Sequence, residues 1–218
     1  MKNSFVNILF DLDGTLLDTT EGIIESVCHT LRVLNLPIPT SSGLLAFVGP
    51  PLQMSFMEKY GFDQHEAQNA ADIFRDYYKT QAMLKAKLYP GIIQLMEDLK
   101  NTGKHLAVAT YKREDYAQKI LSHFGIDKYC ESIRGADNFN QLKKSDIIKL
   151  CVEELGGDKK QSVLVGDTKH DALGAQEAGI DFLGVTYGFG FQTADDVNLY
   201  PNVGCARLPG EIGERLGF

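Results

Sequence analysis

Short apolar runs rich in branched residues recur along this chain with amphipathic helical stretches between them, and that alternation restricts the fold more than any other feature. The clear runs are residues 5–9, 106–109, 162–165 and 182–186, with a weaker one at 131–134. Near-continuous apolar runs of this length fit strands buried on both faces. Strands separated by helical segments need crossovers, which are right-handed and set helices on both faces of a parallel sheet. The expected fold class is therefore α/β, a Rossmann-like parallel sheet with helices on both faces.

The helices are legible from their ends. In KREDYAQKILSHFGI, Tyr116, Ile120, Leu121 and Phe124 share one face, and Gly125 follows where a left-handed cap would stop the helix. GIIQLMEDLK spaces Ile92, Leu95, Met96 and Leu99 in the same way, and KSDIIKLCVEELGG ends at Gly156. Between Asp18 and about Tyr89 no strand pattern appears, only helical segments at 21–34, 42–47, 52–60 and 66–79. Such a block inside an alternating chain reads as a small helical domain inserted after the first strand, bounded by turn residues. We expect a core of 1–17 and 88–218 and a helical cap of 18–87.

Composition excludes some partners. A net charge of -7 over 218 residues argues against broad nucleic-acid binding, which needs a basic face. No run approaches the roughly 18 apolar residues of a membrane span. The four cysteines form no CxxC pair, as expected of reduced thiols in a cytoplasmic protein.

In an open parallel sheet, ligands bind beyond the carboxyl ends of the strands. The first strand leads into FDLDGTLLD and so delivers Asp11 and Asp13; the second delivers Thr110, Tyr111 and Lys112; SVLV is followed by Gly166 and Asp167, with Asp171 four residues on. Carboxylates gathered on one edge repel unless a cation joins them, and hard oxygen donors suit Mg²⁺. A carboxylate can also attack phosphorus, and Asp13, two residues from Asp11, is placed to move protons. Thr110, the Tyr111 amide and the helix starting near Glu114 would receive a phosphoryl group. Lys143 or Lys144, ahead of the next helix, would supply a fixed cation. Asp18 stands three residues before Glu21 and suits a helix cap, and His170 a polar position beside the site.

These segments, FDLDGTLLDT, VATYK, KKSDIIKL and LVGDTKHDALGAQEAGI, resemble the four ordered motifs of the haloacid dehalogenase-like superfamily across nearly the whole chain. The second aspartate of DxDGT resembles the family's phosphatases, not its dehalogenases. The resemblance implies Asp11 as nucleophile and Mg²⁺ ligand, and Asp13 as general acid/base that offers its backbone carbonyl to the metal. It implies Thr110 and the Tyr111 amide as phosphate donors, Lys144 as the motif lysine, and Asp167 and Asp171 as metal ligands. FVGPPLQMSF resembles the cap loop of the phosphoglycolate phosphatase and nucleotidase-like subgroups, which brings in Gly49, and Arg75 is the cap cation named as a substrate contact, with a solvated helix face as the alternative.

The implied activity is Mg²⁺-dependent hydrolysis of a small phosphorylated metabolite, phosphoglycolate-like or a nucleoside monophosphate, through an aspartyl-phosphate. The alternatives are a phosphomutase of the same superfamily and a catalytically weak regulatory or binding member. Two departures stand out: Tyr111 replaces a small residue and Arg113 a proline in the second motif, and Gln141 stands where some relatives are basic.

Overall fold

The computed structural model describes residues 5–139 and 141–217. Residues 1–4, Asn140 and Phe218, which fall within the expected core segments, lie outside the described residues.

Strand β1 (Asn7–Phe10) opens the chain and is followed by a two-residue strand, β2 (Leu17–Asp18). Four helices come next: α1 (Thr20–Val33), α2 (Ser41–Leu45), α3 (Leu52–Tyr60) and α4 (Gln64–Tyr77), the last continuing through a wide turn at Tyr78–Ala82. Strand β3 (Lys87–Leu88) then pairs antiparallel with β2, Leu17 opposite Leu88 and Asp18 opposite Lys87. The helical block thus leaves and rejoins the chain through one small ribbon. Its two strands were absent from the sequence pattern because two residues are too few to show an alternation.

Beyond the ribbon the chain alternates: α5 (Ile92–Asn101), β4 (His105–Arg113), α6 (Glu114–His123), β5 (Ser132–Ala136), α7 (Lys144–Glu154), β6 (Ser162–Gly166), α8 (Lys169–Ala178) and β7 (Asp181–Val185). Helix α9 (Ala194–Asn198), strand β8 (Gly204–Ala206) and helix α10 (Gly210–Leu216) complete it. The sheet is parallel throughout, in the order β5-β4-β1-β6-β7-β8. Chain order runs outward in both directions from β1, so the switch point of the topology lies at the carboxyl end of the strand that leads into Asp11.

Alternation within β1 divides the core. Ile8 and Phe10 join Val108, Val163 and Val165 beneath α5, α6 and α10, whereas Leu9 joins Ala107, Ala109 and Leu164 beneath α7 and α8. Each large apolar side chain buried completely contributes about 1.5–3 kcal/mol. The insert has its own core of Val27, Leu31, Phe47, Phe56 and Phe74, and Tyr116 of α6 packs into it from the sheet side.

Helix ends follow local chemistry. Gly125 takes φ +68 and lets Ile126 N–H reach the Leu121 carbonyl at 2.9 Å. Asp18 accepts the Thr20 amide at 3.0 Å, not that of Glu21, and Thr19 is the residue at the helix boundary, so the helix begins one residue later than the DTTE spacing suggests.

Candidate active site

Asp11 and Asp13 follow the end of β1 and contact different residues. Asp11 is 6% exposed and its Oδ1 accepts from Lys144 Nζ at 2.5 Å. Asp13 has other partners: its Oδ1 accepts from Thr19 Oγ1 at 2.5 Å and pairs with Lys112 Nζ at 3.0 Å. Two carboxylates two residues apart therefore have separate environments, the condition under which they can take separate roles.

Lys144, not Lys143, reaches the site. Its ammonium bridges Asp11 and, at 2.7 Å, Asp171 Oδ1, while Lys143 lies on the surface near Glu177. Room for the lysine comes from α8: a Cβ at Gly174 would stand 2.6 Å from Lys144 Cγ. Tyr111 holds the same lysine from above, its phenolic oxygen accepting the Lys144 backbone N–H at 2.9 Å and its ring centroid lying 5.6 Å from Nζ. The bulky residue in the second motif thus caps the first turn of α7. His170, half-buried, meets the Tyr111 ring edge-on.

Asp167 is fully buried at the end of β6, and the loop after β7 wraps it: the Phe189 and Gly190 amides donate to Oδ2 at 2.7 and 3.1 Å. Thr15 Oγ1 donates to Oδ1 at 3.4 Å. Gly14, at φ +84, is obligatory here because a Cβ would stand 2.3 Å from Asp167 Oδ2. Asp171 accepts from Thr168 N and Oγ1 through Oδ2, forming the capping box of α8, and turns Oδ1 to Lys144.

Oxygens of Asp11, Asp167 and Asp171 lie within 4.8 Å of one another, all three residues buried. Without a cation such a group resists ionisation. Burial pushes Asp11 up to about 7, opposed by Lys144 and reinforced by Asp171 and Asp13, and burial together with Asp171 and Asp11 carries Asp167 well above the carboxylate range. For Lys144 burial works against the charge, but Asp11 and Asp171 outweigh it and hold the lysine protonated. Hard oxygen donors in a buried, mutually repelling trio fit a divalent cation, so these residues can hold a metal ion.

Thr110 ends the regular part of β4. The pairing register with β5 shifts between Ala109 and Arg113, freeing the segment that carries Thr110, Tyr111 and Lys112. Thr110 is buried and its hydroxyl accepts the Lys112 amide at 3.1 Å. The structure brings Thr110, Tyr111, Lys144, Asp167 and Asp171 to the same edge as Asp11.

A cleft of about 630 Å³ of empty space, counted to its open mouth, runs between the sheet edge and the helical block. Asp13 lines it, with Gly49, Phe47, Arg75, Tyr78 and Tyr111. Gly49 takes φ +100 in the FVGPP loop. Arg75 is not on a solvated helix face: it is 8% exposed, and its Nη1 donates to the Asn138 carbonyl at 2.7 Å, so the helical block contacts the sheet domain through it.

Sequence reasoning set Lys112 at a strand end and noted Arg113 without giving either a role, and left out Tyr78 and the loop around Gly188 and Gly190. The strand-end rule, applied to β7 as well, would have found TYGFGF. Lys112 stood in view two residues past Thr110.

A family model described as haloacid dehalogenase-like hydrolase matches residues 8–185. The chain belongs to that family. This haloacid dehalogenase-like hydrolase is 36% identical over 206 residues to a 5'-nucleotidase of Pseudomonas aeruginosa, covering 94% of this chain and 92% of that protein. It is 35% identical over 211 residues to tyrosine-protein kinase PtkA of Mycobacterium tuberculosis, covering 96% of this chain and 72% of PtkA. Among solved structures it is similar to a predicted phosphatase from Clostridium acetobutylicum, with 37% identity, a TM-score of 0.92, and 97% and 98% of the two chains covered.

Proposed function

We propose that this hydrolase is a Mg²⁺-dependent phosphatase of small phosphorylated metabolites, working through an aspartyl-phosphate on Asp11. The single observation that carries the reading is the division of labour at the end of β1. Asp11 faces Lys144, Asp167 and Asp171, whereas Asp13, two residues on, faces Lys112 and the cleft.

In this mechanism the Asp11 carboxylate attacks phosphorus and the bond from phosphorus to the leaving oxygen breaks. Asp13 gives that oxygen its proton and the alcohol departs through the cleft. Asp13 then takes a proton from water, whose oxygen attacks the phosphorus of the acyl phosphate and breaks the bond from phosphorus to the Asp11 oxygen. Inorganic phosphate leaves and both carboxylates return to their starting states. Lys144 holds the attacking carboxylate in place and neutralises charge on the transferred group, while Thr110 and the Tyr111 amide orient its oxygens. Asp11, Asp167, Asp171 and the Asp13 carbonyl would hold Mg²⁺, which when bound would supply electrostatic stabilisation of the phosphoryl oxygens. The helical block, in the reading a cap spanning 18–87, excludes water, and Gly49 and Arg75 belong to the substrate surface.

A screen of phosphate release over phosphorylated metabolites, with and without Mg²⁺, tests the reading; phosphoglycolate and nucleoside monophosphates head the panel. The wild type should release phosphate only with the metal, and Asp11→Asn should lose turnover while keeping its fold. Retained turnover in Asp11→Asn would sink the mechanism. Measuring transfer to hydroxyl acceptors beside phosphate release separates a hydrolase from a phosphomutase. No helix among the described residues is long and apolar enough to cross a membrane, and the reading assigns the enzyme to the cytoplasm.

A further inference from the structure

Strand β7 is followed by an alternation of aromatic residues and glycines, Tyr187, Gly188, Phe189, Gly190 and Phe191, whose rings the mechanism above does not use. Close approach explains the glycines. A Cβ at Gly188 would stand 2.4 Å from Asp167 Oδ2, and one at Gly190 would stand 2.4 Å from the Asp167 carbonyl oxygen. The segment therefore lies directly on Asp167, with the Phe189 and Gly190 amides on Oδ2 and the Phe191 amide donating to the backbone carbonyl at 2.7 Å. Oδ1, with Thr15 Oγ1 3.4 Å away, is the carboxylate oxygen left for a cation.

The three rings go to three different cores. Tyr187 packs on the side of the sheet that carries α5, meets the Tyr89 ring edge-on at 4.9 Å and donates its hydroxyl to the Thr15 carbonyl at 2.9 Å. Phe191 is buried on the side that carries α7, with its ring centre 6.3 Å from that of Phe182 and 5.7 Å from that of Tyr200. Phe189, between them, packs against the core of the helical block. It shares a groove with Leu45, Val48 and Pro50, and a Cβ at Gly49 in that loop would stand 3.6 Å from Thr168 Cγ2. Tyr187 and Phe191 already fix both ends of the segment to the sheet domain. The ring of Phe189 is covered by the helical block, so lifting the block would return it to water. One residue thus gives its amide to Asp167 and its side chain to the insert.

We propose that Phe189 is a positioning residue that couples seating of the helical block to metal binding at Asp167. With the ring buried in the insert, the Phe189 and Gly190 amides hold Oδ2 and keep Oδ1 available; with the block lifted, those amides lose their anchor and the cation site loosens. The two states differ in the contacts made at Asp167, which is what coupling requires. The inference rests on the metal site of the phosphatase reading and deepens it. Linkage makes the effect reciprocal: if seating strengthens Mg²⁺ binding, Mg²⁺ strengthens seating by the same factor.

Titration calorimetry with Mg²⁺ on the full chain, well below its melting temperature, tests this together with hydrogen exchange in the presence and absence of Mg²⁺. The Mg²⁺ dissociation constant should rise about fivefold or more in Phe189→Ala, the lower end of ordinary coupling between sites, and stay within about twofold of wild type in Phe189→Leu, which keeps an apolar contact. In the wild type Mg²⁺ should slow exchange of the Leu44, Phe47 and Val48 amides, which bond to carbonyls within the helical block, and in Phe189→Ala that slowing should vanish. A ring that only stabilised the fold would lower the melting temperature and leave both readouts unchanged. The exchange comparison on the wild type needs no variant, so it decides even where Phe189→Ala fails to fold. A dissociation constant in Phe189→Ala within about twofold of wild type, an equal loss in Phe189→Leu, or no Mg²⁺-dependent slowing in the wild type would overturn the coupling alone. No Mg²⁺ binding to the wild type would overturn the metal site of the phosphatase reading, and the coupling with it.

Discussion

Replacing Lys144 with methionine removes one charge and little volume, and the structure sets the size of the consequence. The ammonium is 3% exposed and lies 2.5 Å from Asp11 and 2.7 Å from Asp171, so no water can take over either contact. Removing one partner of a buried ion pair costs about 3–5 kcal/mol. At about 2–4 °C per kcal/mol for a chain of this size, the melting temperature of the metal-free variant should fall by about 6–20 °C. The fall depends on pH in a definite direction. The folded-state value of Asp11, about 7, lies above its ordinary 3.8, so the stability that its protonated form contributes is complete below the lower value and lost as pH rises through the higher. Losing Lys144 raises Asp11 further, so the variant can shed charge by protonation in acid but not in base. Thermal unfolding in chelator at about pH 5.5 and about pH 8 should therefore show the larger deficit at the higher pH. Turnover with Mg²⁺ should fall by about 10²–10³, the loss of one preorganised electrostatic partner. An equal deficit at both pH values, or turnover within about tenfold of wild type, would refute the assignment of Lys144 as the cation of the carboxylate trio.

Gly174→Ala tests the same lysine from a distance. The new Cβ, 2.6 Å from Lys144 Cγ and 2.9 Å from its Cβ, must push the side chain aside, so turnover should drop by about tenfold or more while the helix gains up to about 1 kcal/mol of intrinsic propensity. Paired activity and unfolding measurements separate the two effects. Tyr111→Phe deletes the acceptor of the Lys144 amide, a bond of about 1 kcal/mol, and kcat at saturating substrate should fall by about fivefold. Protons compete with metal for Asp11, so the thermal stabilisation given by Mg²⁺ should be larger at about pH 8 than at about pH 5.5, whereas an ion on exposed carboxylates, ionised at both, would stabilise nearly equally.

Much of this was legible in the sequence because parallel α/β chains use one edge for chemistry. Asp11, Thr110 and Asp167 each follow an apolar run, so locating the runs located the residues. Gly125 was readable too, as the left-handed stop of α6, and it takes φ +68. What escaped notice depends on contacts between segments far apart in the chain. Lys112 looks like a loop lysine until Asp13 is beside it, and Tyr78 looks like a core aromatic until the Lys112 ammonium is found 5.0 Å from the centre of its ring. Arg75 allowed a solvated helix face because helical periodicity says nothing about Asn138, sixty-three residues away. Strands β2 and β3 were invisible for want of length, and Asp18 caps its helix from inside one of them.

The central claim is a phosphoryl group carried by Asp11. Acid quenching of the Mg²⁺-loaded enzyme during turnover of an aryl phosphate, followed by digestion and mass spectrometry of the peptides, measures it directly. The account predicts one phosphoryl group on the peptide containing Asp11, absent from Asp11→Asn. Phosphate on any other residue, or steady turnover with none on the protein at any quench time, would contradict it.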